Sequence, residues 1–436
     1  MLKRPAYLLV TSFALAIFTG TCLLLLPFAA EGDGGLGPVD ALFTATSATC
    51  VTGLIVVDTG SHLTLFGQLV VLALIQVGGL GIITISTFIA LAIGANLGLK
   101  GQFAVQEAVG ETRSRNALHL IKFVVTGTLL VELAGMVILT LLFSRWGFGP
   151  GEALYQALFH TISAFCNAGF SLFHDSMERF SSQPSIPITI AVLFIFGGLG
   201  FSVMLALFYS IIYRHRLPYY TRIILAATFI LLTAGTILIW LLDYNYAFAD
   251  IGTGEALLHS FFQAATPRTA GFNTFPIREM STGSLVVIIL LMFIGAGSGS
   301  TAGGIKISTA VIIAAVVWAV IRGRDKVVLA GRKVSPTMVY DAVALIGCSA
   351  IVVLAVFAFL SVTQNHSPLP LLFESFSAFG TVGLSMGITA ELSGMGKVAI
   401  TALMYLGRVG PLTFLVLVRP TRQAYIDYPD AKMIIG

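Results

Sequence analysis

The chain has 436 residues, of which 57% are hydrophobic and 10% charged, with a formal net charge of +4. A soluble domain of this length carries roughly a quarter of its residues as charges, so this chain is solvated by lipid, and its small positive charge points to no nucleic acid. Four cysteines, Cys22, Cys50, Cys166 and Cys348, lack CxxC spacing and suggest neither a zinc site nor a disulfide framework.

Lys3-Arg4 opens an apolar run to Phe28. It is too long for the apolar core of a signal peptide and more spans follow, so 6–28 reads as the first transmembrane helix. Further stretches long enough to cross about 30 Å of hydrocarbon lie at 66–93, 119–143, 186–213, 220–243, 283–321, 338–362 and 396–418. Between the members of each pair sits a shorter apolar segment, at 40–49, 152–165, 254–266 and 369–379. As helix these reach only about 15–20 Å. A glycine-containing turn follows each one, and non-helical backbone at membrane depth is tolerated only beside a watery cavity. The pattern predicts four re-entrant hairpins.

Basic residues orient the map. With the N-terminus inside, seventeen lysines and arginines fall on inner segments, from Lys3 and Arg4 to Lys432. Only Arg145, Arg179, Arg268, Arg278 and Lys397 fall on outer or re-entrant ones. The positive-inside rule then puts both termini in the cytoplasm and brings the hairpins in from outside.

The four short segments align without gaps as FTATSATCVTGL, FHTISAFCNAGF, FFQAATPRTAGF and FESFSAFGTVGL. Phe43, Phe159, Phe261 and Phe373 stand ten positions before Gly53, Gly169, Gly271 and Gly383, and Leu54, Phe170, Phe272 and Leu384 follow those glycines. Each unit is span, half-helix, glycine turn, span. Two crossings return the chain to its starting side, so the units are parallel repeats about an axis along the membrane normal. Their expected bounds are 1–97, 98–216, 217–333 and 334–436. The fold class is all-α integral membrane, with four such repeats in pseudo-fourfold order around one central, potassium-channel-like pore.

Half-helices entering from outside aim their partially negative C-terminal ends at the membrane middle, where four together favour a cation. Carbonyls of the following residues can replace an ion's hydration shell. Glycine allows the backbone conformation this needs and keeps a Cβ out of the pore. Four tight-turn glycines without any ion are the competing reading.

With these segments the chain resembles the superfamily of potassium transporters comprising TrkH, KtrB, fungal Trk and plant HKT proteins, over essentially its whole length. The start at the first outer helix and the YPDAKMIIG tail are most similar to the KtrB branch. The resemblance implies a selectivity filter at Val51, Thr52, Gly53, Asn167, Ala168, Gly169, Thr269, Ala270, Gly271, Thr381, Val382 and Gly383, which would be the only K+ sites of the chain. Some plant members carry serine in the first unit and favour sodium, so Gly53 supports potassium. No second filter glycine follows, which implies a shorter filter than TVGYG.

The sixth span is interrupted by GAGSGSTAGGIK at 295–306. A dinucleotide fingerprint needs a preceding strand, and a P-loop needs Gly-Lys-Ser/Thr, where Ile305 intervenes here. Close helix packing is one alternative. The resemblance implies a mobile gate formed by Gly295, Gly297, Ser298, Gly299, Ser300, Thr301, Gly303, Gly304 and Lys306, together with Arg408 of the eighth span. An intramembrane arginine needs a cavity or a partner; Glu132 or a helix end would be the structural choice. Arg268 and Glu374 are expected to pair behind the filter. His160 and His259 are expected to be satisfied locally.

The resemblance further implies potassium uptake with sodium stimulation, no cofactor in this chain, a homodimer, and a cytosolic KtrA-like ring of nucleotide-binding subunits. The alternative is a sodium-coupled secondary symporter of a small solute, disfavoured because those folds usually use inverted repeats. No acid–base, nucleophile or metal cluster recurs in the spans, so no enzyme is expected. Gly271→Ser should weaken discrimination against sodium; an unchanged ratio of potassium to sodium uptake would count against the filter assignment.

Overall fold

The computed structural model of the protein describes residues 3–32, 35–81, 84 and 114–410. Most of the inner end of the second span, the unit boundary at 97, residues 411–418 of the eighth span and the tail lie outside the described residues. So do Lys100, Arg113, Arg419, Arg422 and Lys432.

The described residues are mostly helical. The first repeat holds α1 (Lys3–Leu24), half-helix α2 (Pro38–Thr49) and α3 (Leu65–Leu80). The second has α4 (Ser114–Trp146), half-helix α5 (Pro150–Phe165), α6 (Ser185–Leu199) and α7 (Phe201–Tyr213). The third has α8 (Tyr219–Asp243), half-helix α9 (Thr253–Ala265), α10 (Thr282–Phe293) and α11 (Ile307–Ile321). A hairpin of β1 (Val328–Leu329) and β2 (Arg332–Lys333) leads into the fourth repeat. That repeat holds α12 (Pro336–Thr363), half-helix α13 (Pro368–Gly380) and α14 (Gly394–Val409).

The first helix of every repeat is long and apolar enough to cross a membrane. Large side chains such as Leu15, Leu130, Phe229 and Ile351 are exposed on these helices, as lipid contact requires. The second helices are not the continuous spans expected from hydropathy. α3, α6, α10 and α14 have only 16, 15, 12 and 16 residues. Three of them end at a left-handed glycine: Gly81 (φ +83°), Gly200 (φ +99°) and Gly410 (φ +90°). At Gly200 the chain turns by 103° into α7, so 186–213 is a broken span. Apolar residues on both sides of each break hide it from a hydropathy reading; the GGLG of 78–81 and 197–200 is the signal that marks it.

Half-helices start where proline can occupy the first turn without losing a hydrogen bond: Pro38, Pro150 and Pro368. Asp40, Glu152 and Glu255 complement the positive ends of α2, α5 and α9. At 12, 16, 13 and 13 residues they stop short of a full crossing.

Each second helix packs on the half-helix of the next repeat: α3 on α5, α6 on α9, α10 on α13, and α14 back on α2. The ring closes. The aligned apolar residues explain the joints, because every repeat's core takes in residues of the next. The first repeat buries Phe159 and Phe170, the second Phe262 and Phe272, the third Phe373 and Leu384, the fourth Phe43 and Leu54. In the third half-helix the fully buried residue is Phe262, one position later than the alignment indicates, while Phe261 is half-buried.

Second helices reach the half-helix ends because they lack a side chain at the contact. A Cβ on Gly78, Gly197 or Gly407 would run into the carbonyl oxygen of Thr49, Phe165 or Phe379. Lipid offers no hydrophobic drive between helices, so such close packing carries the association. Gly197→Val should lower the melting temperature in detergent by at least several degrees. Gly347→Val, where a Cβ meets nothing within 4 Å, should leave it nearly unchanged; similar melting of the two variants would refute the packing argument.

Candidate functional site

The four aligned glycines meet. A Cβ on Gly53 would come within 2.5 Å of Ala168 O, one on Gly169 within 2.9 Å of Ala270 O, and one on Gly271 within 2.6 Å of Val382 O. One on Gly383 would collide with Thr52 O, which closes the circle. The carbonyl before each glycine therefore lies against the glycine of the neighbouring repeat. No residue larger than glycine fits at any of the four positions without displacing backbone.

Conformation repeats with composition. The residue two before each glycine is left-handed in every repeat: Val51 (φ +50°), Asn167 (φ +58°), Thr269 (φ +74°) and Thr381 (φ +50°). Gly53, Gly169, Gly271 and Gly383 follow at φ +92°, +70°, +78° and +91°. Left-handed β-branched residues cost on the order of 1–3 kcal/mol each and persist only where their surroundings over-determine them. Two left-handed residues separated by an ordinary one turn successive carbonyls to one side, as in ion filters.

Hydroxyls hold that backbone from behind. Ser47 Oγ accepts from Gly53 N at 3.1 Å and donates to Leu54 O at 2.7 Å. Ser377 Oγ accepts from Gly383 N at 3.1 Å, and Ser163 Oγ donates to Phe170 O at 2.7 Å. In the third repeat Thr266 Oγ1 makes the bond, to Phe272 O at 2.6 Å. These residues were absent from the sequence-derived site, although serine six positions before three of the glycines is a visible signal.

All four glycines line one cavity of about 140 Å³, with Ser171, His174 and Asn273 at its rim. Beside it Asn273 Nδ2 donates to Glu178 Oε1 at 2.5 Å. Burial raises the Glu178 carboxyl above its ordinary range, and the Asn273 bond partly offsets this.

On the other side of the glycines, residues 295–306 leave the helix and bond to the second and fourth repeats. The ends of the loop meet, with Gly295 N donating to Ile305 O at 2.8 Å. Gly297 N donates to Gly198 O at 2.8 Å, and Gly299 O accepts from Phe201 N at 2.9 Å. Thr301 Oγ1 donates to Asn167 Oδ1 at 2.8 Å, which ties the loop to the strand that follows the second half-helix. Gly303 lies under the Thr381 side chain, and Gly304 N donates to Gly407 O at 3.3 Å. Lys306 Nζ caps Ala302 O at 2.7 Å and Gly303 O at 3.3 Å. Ser298 Oγ and Ser308 Oγ stand 3.1 Å apart, and Ser300 Oγ accepts from Ala302 N.

Arg408 completes the crossing. Its guanidinium donates to Thr301 O of the loop and to Gly78 O of α3, and it lies 5.8 Å over the Phe13 ring. A second cavity of about 170 Å³ lies beyond, lined by Gly81, Thr84, Ser300, Lys306 and Arg408. Loop and arginine thus stand between the two cavities.

Other sequence-derived pairings differ. Glu132 partners Gln76 Nε2 at 3.1 Å across helices, not Arg408. Glu374 accepts from Ser385 and from Thr389 Oγ1 at 3.1 Å, and the expected ion pair with Arg268 does not form. Short hydroxyls reach this carboxylate first. His160 is held by Gln156 O and Ser171 Oγ, and His259 by Thr274 Oγ1. All four cysteines are free.

The family model described as TrkH, cation transport protein, matches residues 7–425. The chain is 40% identical to Ktr system potassium uptake protein B of Bacillus subtilis, over 99% of this chain and 97% of that protein. It is 40% identical to the protein of that name from Vibrio alginolyticus, over 98% and 94%. Potassium/sodium uptake protein NtpJ of Enterococcus hirae is 34% identical, over 99% and 97%. The crystal structure of the potassium transporter TrkH from Vibrio parahaemolyticus superposes with a TM-score of 0.75 at 20% identity, over 96% of this chain and 85% of that one.

The Arg408 contacts imply a measurable latch. Hydrogen bonds to a charged group are worth about 1.5–3 kcal/mol, so Arg408→Ala should expose the loop at least about tenfold more often. In a cysteine-free background, Ser300→Cys should react correspondingly faster with a small thiol reagent; equal rates with and without Arg408 would refute the latch.

Proposed function

The chain belongs to the TrkH family of cation transport proteins, and we propose that it takes up potassium through the ring of Gly53, Gly169, Gly271 and Gly383. The observation that carries this reading is the closed circle in which each glycine faces the carbonyl of its neighbour. Val51 to Gly53, Asn167 to Gly169, Thr269 to Gly271 and Thr381 to Gly383 are the proposed filter, in units bounded at 97, 216 and 333. An entering ion exchanges water for these carbonyls, aided by four half-helix C-termini. It then meets the 295–306 loop and Arg408, the proposed gate, and leaves through the second cavity.

The surrounding assembly follows the same reading. Both termini face the cytoplasm of the plasma membrane, since basic residues concentrate on that side. The chain works as the membrane subunit of a Ktr-type system, as a homodimer with a KtrA-like cytosolic ring that binds nucleotide and moves the gate. Sodium stimulates this uptake. A sodium-coupled symporter is not favoured, because the similar proteins are named for potassium uptake.

Because Ile294 and Ile305 pair as a bridge, excising 297–304 leaves the two helix ends adjoining. Purified protein in liposomes should take up potassium in preference to sodium, and the excision should raise the rate several-fold. An unaltered rate would refute the gate, and absence of potassium uptake by the native protein would refute the transport reading.

A further inference from the structure

Arg268 stands three residues before Gly271, where the other repeats have Cys50, Cys166 and Gly380. It is only 7% exposed. Its Nε is buried without a hydrogen-bond partner, and the side chain makes no ion pair or hydrogen bond with any described residue. Around it lie Phe194, Ile195, Gly198, Ala265 and Ala296, in a narrow cavity between the second and third repeats. None is acidic.

An arginine in a protein keeps its proton, and an unpaired charge at membrane depth is costly enough to mark an ion pathway. A bracing role would leave the guanidinium bonded, as Arg408 is to Thr301 O and Gly78 O. Gly198 and Ala296 follow Gly197 and Gly295 as Arg408 follows Gly407. Arg268 therefore brings a second positive charge to the level of Arg408, from the side of the second and third repeats.

Its other neighbour shows what that charge opposes. Ala265 is the last residue of α9, and a half-helix C-terminus carries about half a negative elementary charge. No charged residue stands at the matching position at the end of α2, α5 or α13, which have Cys50, Cys166 and Gly380 there, and Arg408 reaches the first repeat from the fourth.

We propose that Arg268 is a specificity-determining residue that neutralises the negative end of one half-helix and so weakens cation binding at the glycine ring. This deepens the potassium reading and rests on it. At a separation of about 10 Å a unit charge in a protein alters ion affinity by about tenfold. A ring relieved of this charge would hold its ion longer and release it more slowly.

The test compares native protein, Arg268→Met, Arg268→Gln and Arg268→Lys. Potassium-dependent thermal stabilisation is titrated in detergent at constant ionic strength, and uptake is measured in liposomes. Both neutral variants should reach half-saturation at about tenfold lower potassium, with a lower maximal rate, while Arg268→Lys should behave as the native protein. Loss of an unpaired buried charge should also leave the neutral variants no less stable without potassium. Half-saturation unchanged within twofold, or shifted upward, would overturn the proposal, as would destabilised neutral variants of native affinity. A native protein that potassium stabilises no better than sodium would overturn the potassium reading and this inference with it.

Discussion

Four strands of non-helical backbone approach one another around Gly53, Gly169, Gly271 and Gly383, close enough that no Cβ fits between them. At membrane depth such backbone needs internal hydrogen bonds and a polar lumen. The rest of the architecture supplies both. Half-helices stop before the middle and hand over their chains, and Ser47, Ser163, Thr266 and Ser377 hold those chains from behind. Glycines on α3, α6 and α14 let the second helices press against the carbonyls just before the ring. Phenylalanine and leucine side chains of each repeat then enter the core of the repeat before it.

Symmetry ends below the ring. At the position after the second-helix glycine, three repeats have Gly79, Gly198 and Ala296, and the fourth has Arg408. The small residues leave room beneath the glycine ring, and the 295–306 loop and the arginine fill it. The loop draws its hydrogen bonds from three repeats and reaches α3 through Arg408. It is held by a limited set of directional contacts and not by a packed apolar face. An element held in this way can exchange one arrangement for another without dismantling the helices around it.

Much of this plan was legible in the sequence. Four parallel units, the short re-entrant helices and the alignment of the glycines follow from hydropathy, helix length and spacing. What misled was local. The third half-helix buries Phe262 where the gapless alignment points to Phe261, because Thr266-Pro267 continues the helical turn and Ala270 N bonds back to Thr266 O. The span 186–213 looks continuous but breaks at Gly200, since hydropathy measures composition and is blind to a change of direction.

Partner choice was the least legible property. Glu374 takes Ser385 and Thr389 rather than Arg268, and Glu132 takes Gln76 rather than Arg408. By itself the sequence determined which segments cross, which turn back, and which residue recurs at each turn, because these depend on length, apolarity and local backbone freedom. Only the tertiary structure decided that the four turns close into one ring, that Arg408 spans from the loop to α3, and that Arg268 is left without a partner among the described residues. Those depend on how segments far apart in the chain come to share the same few ångströms.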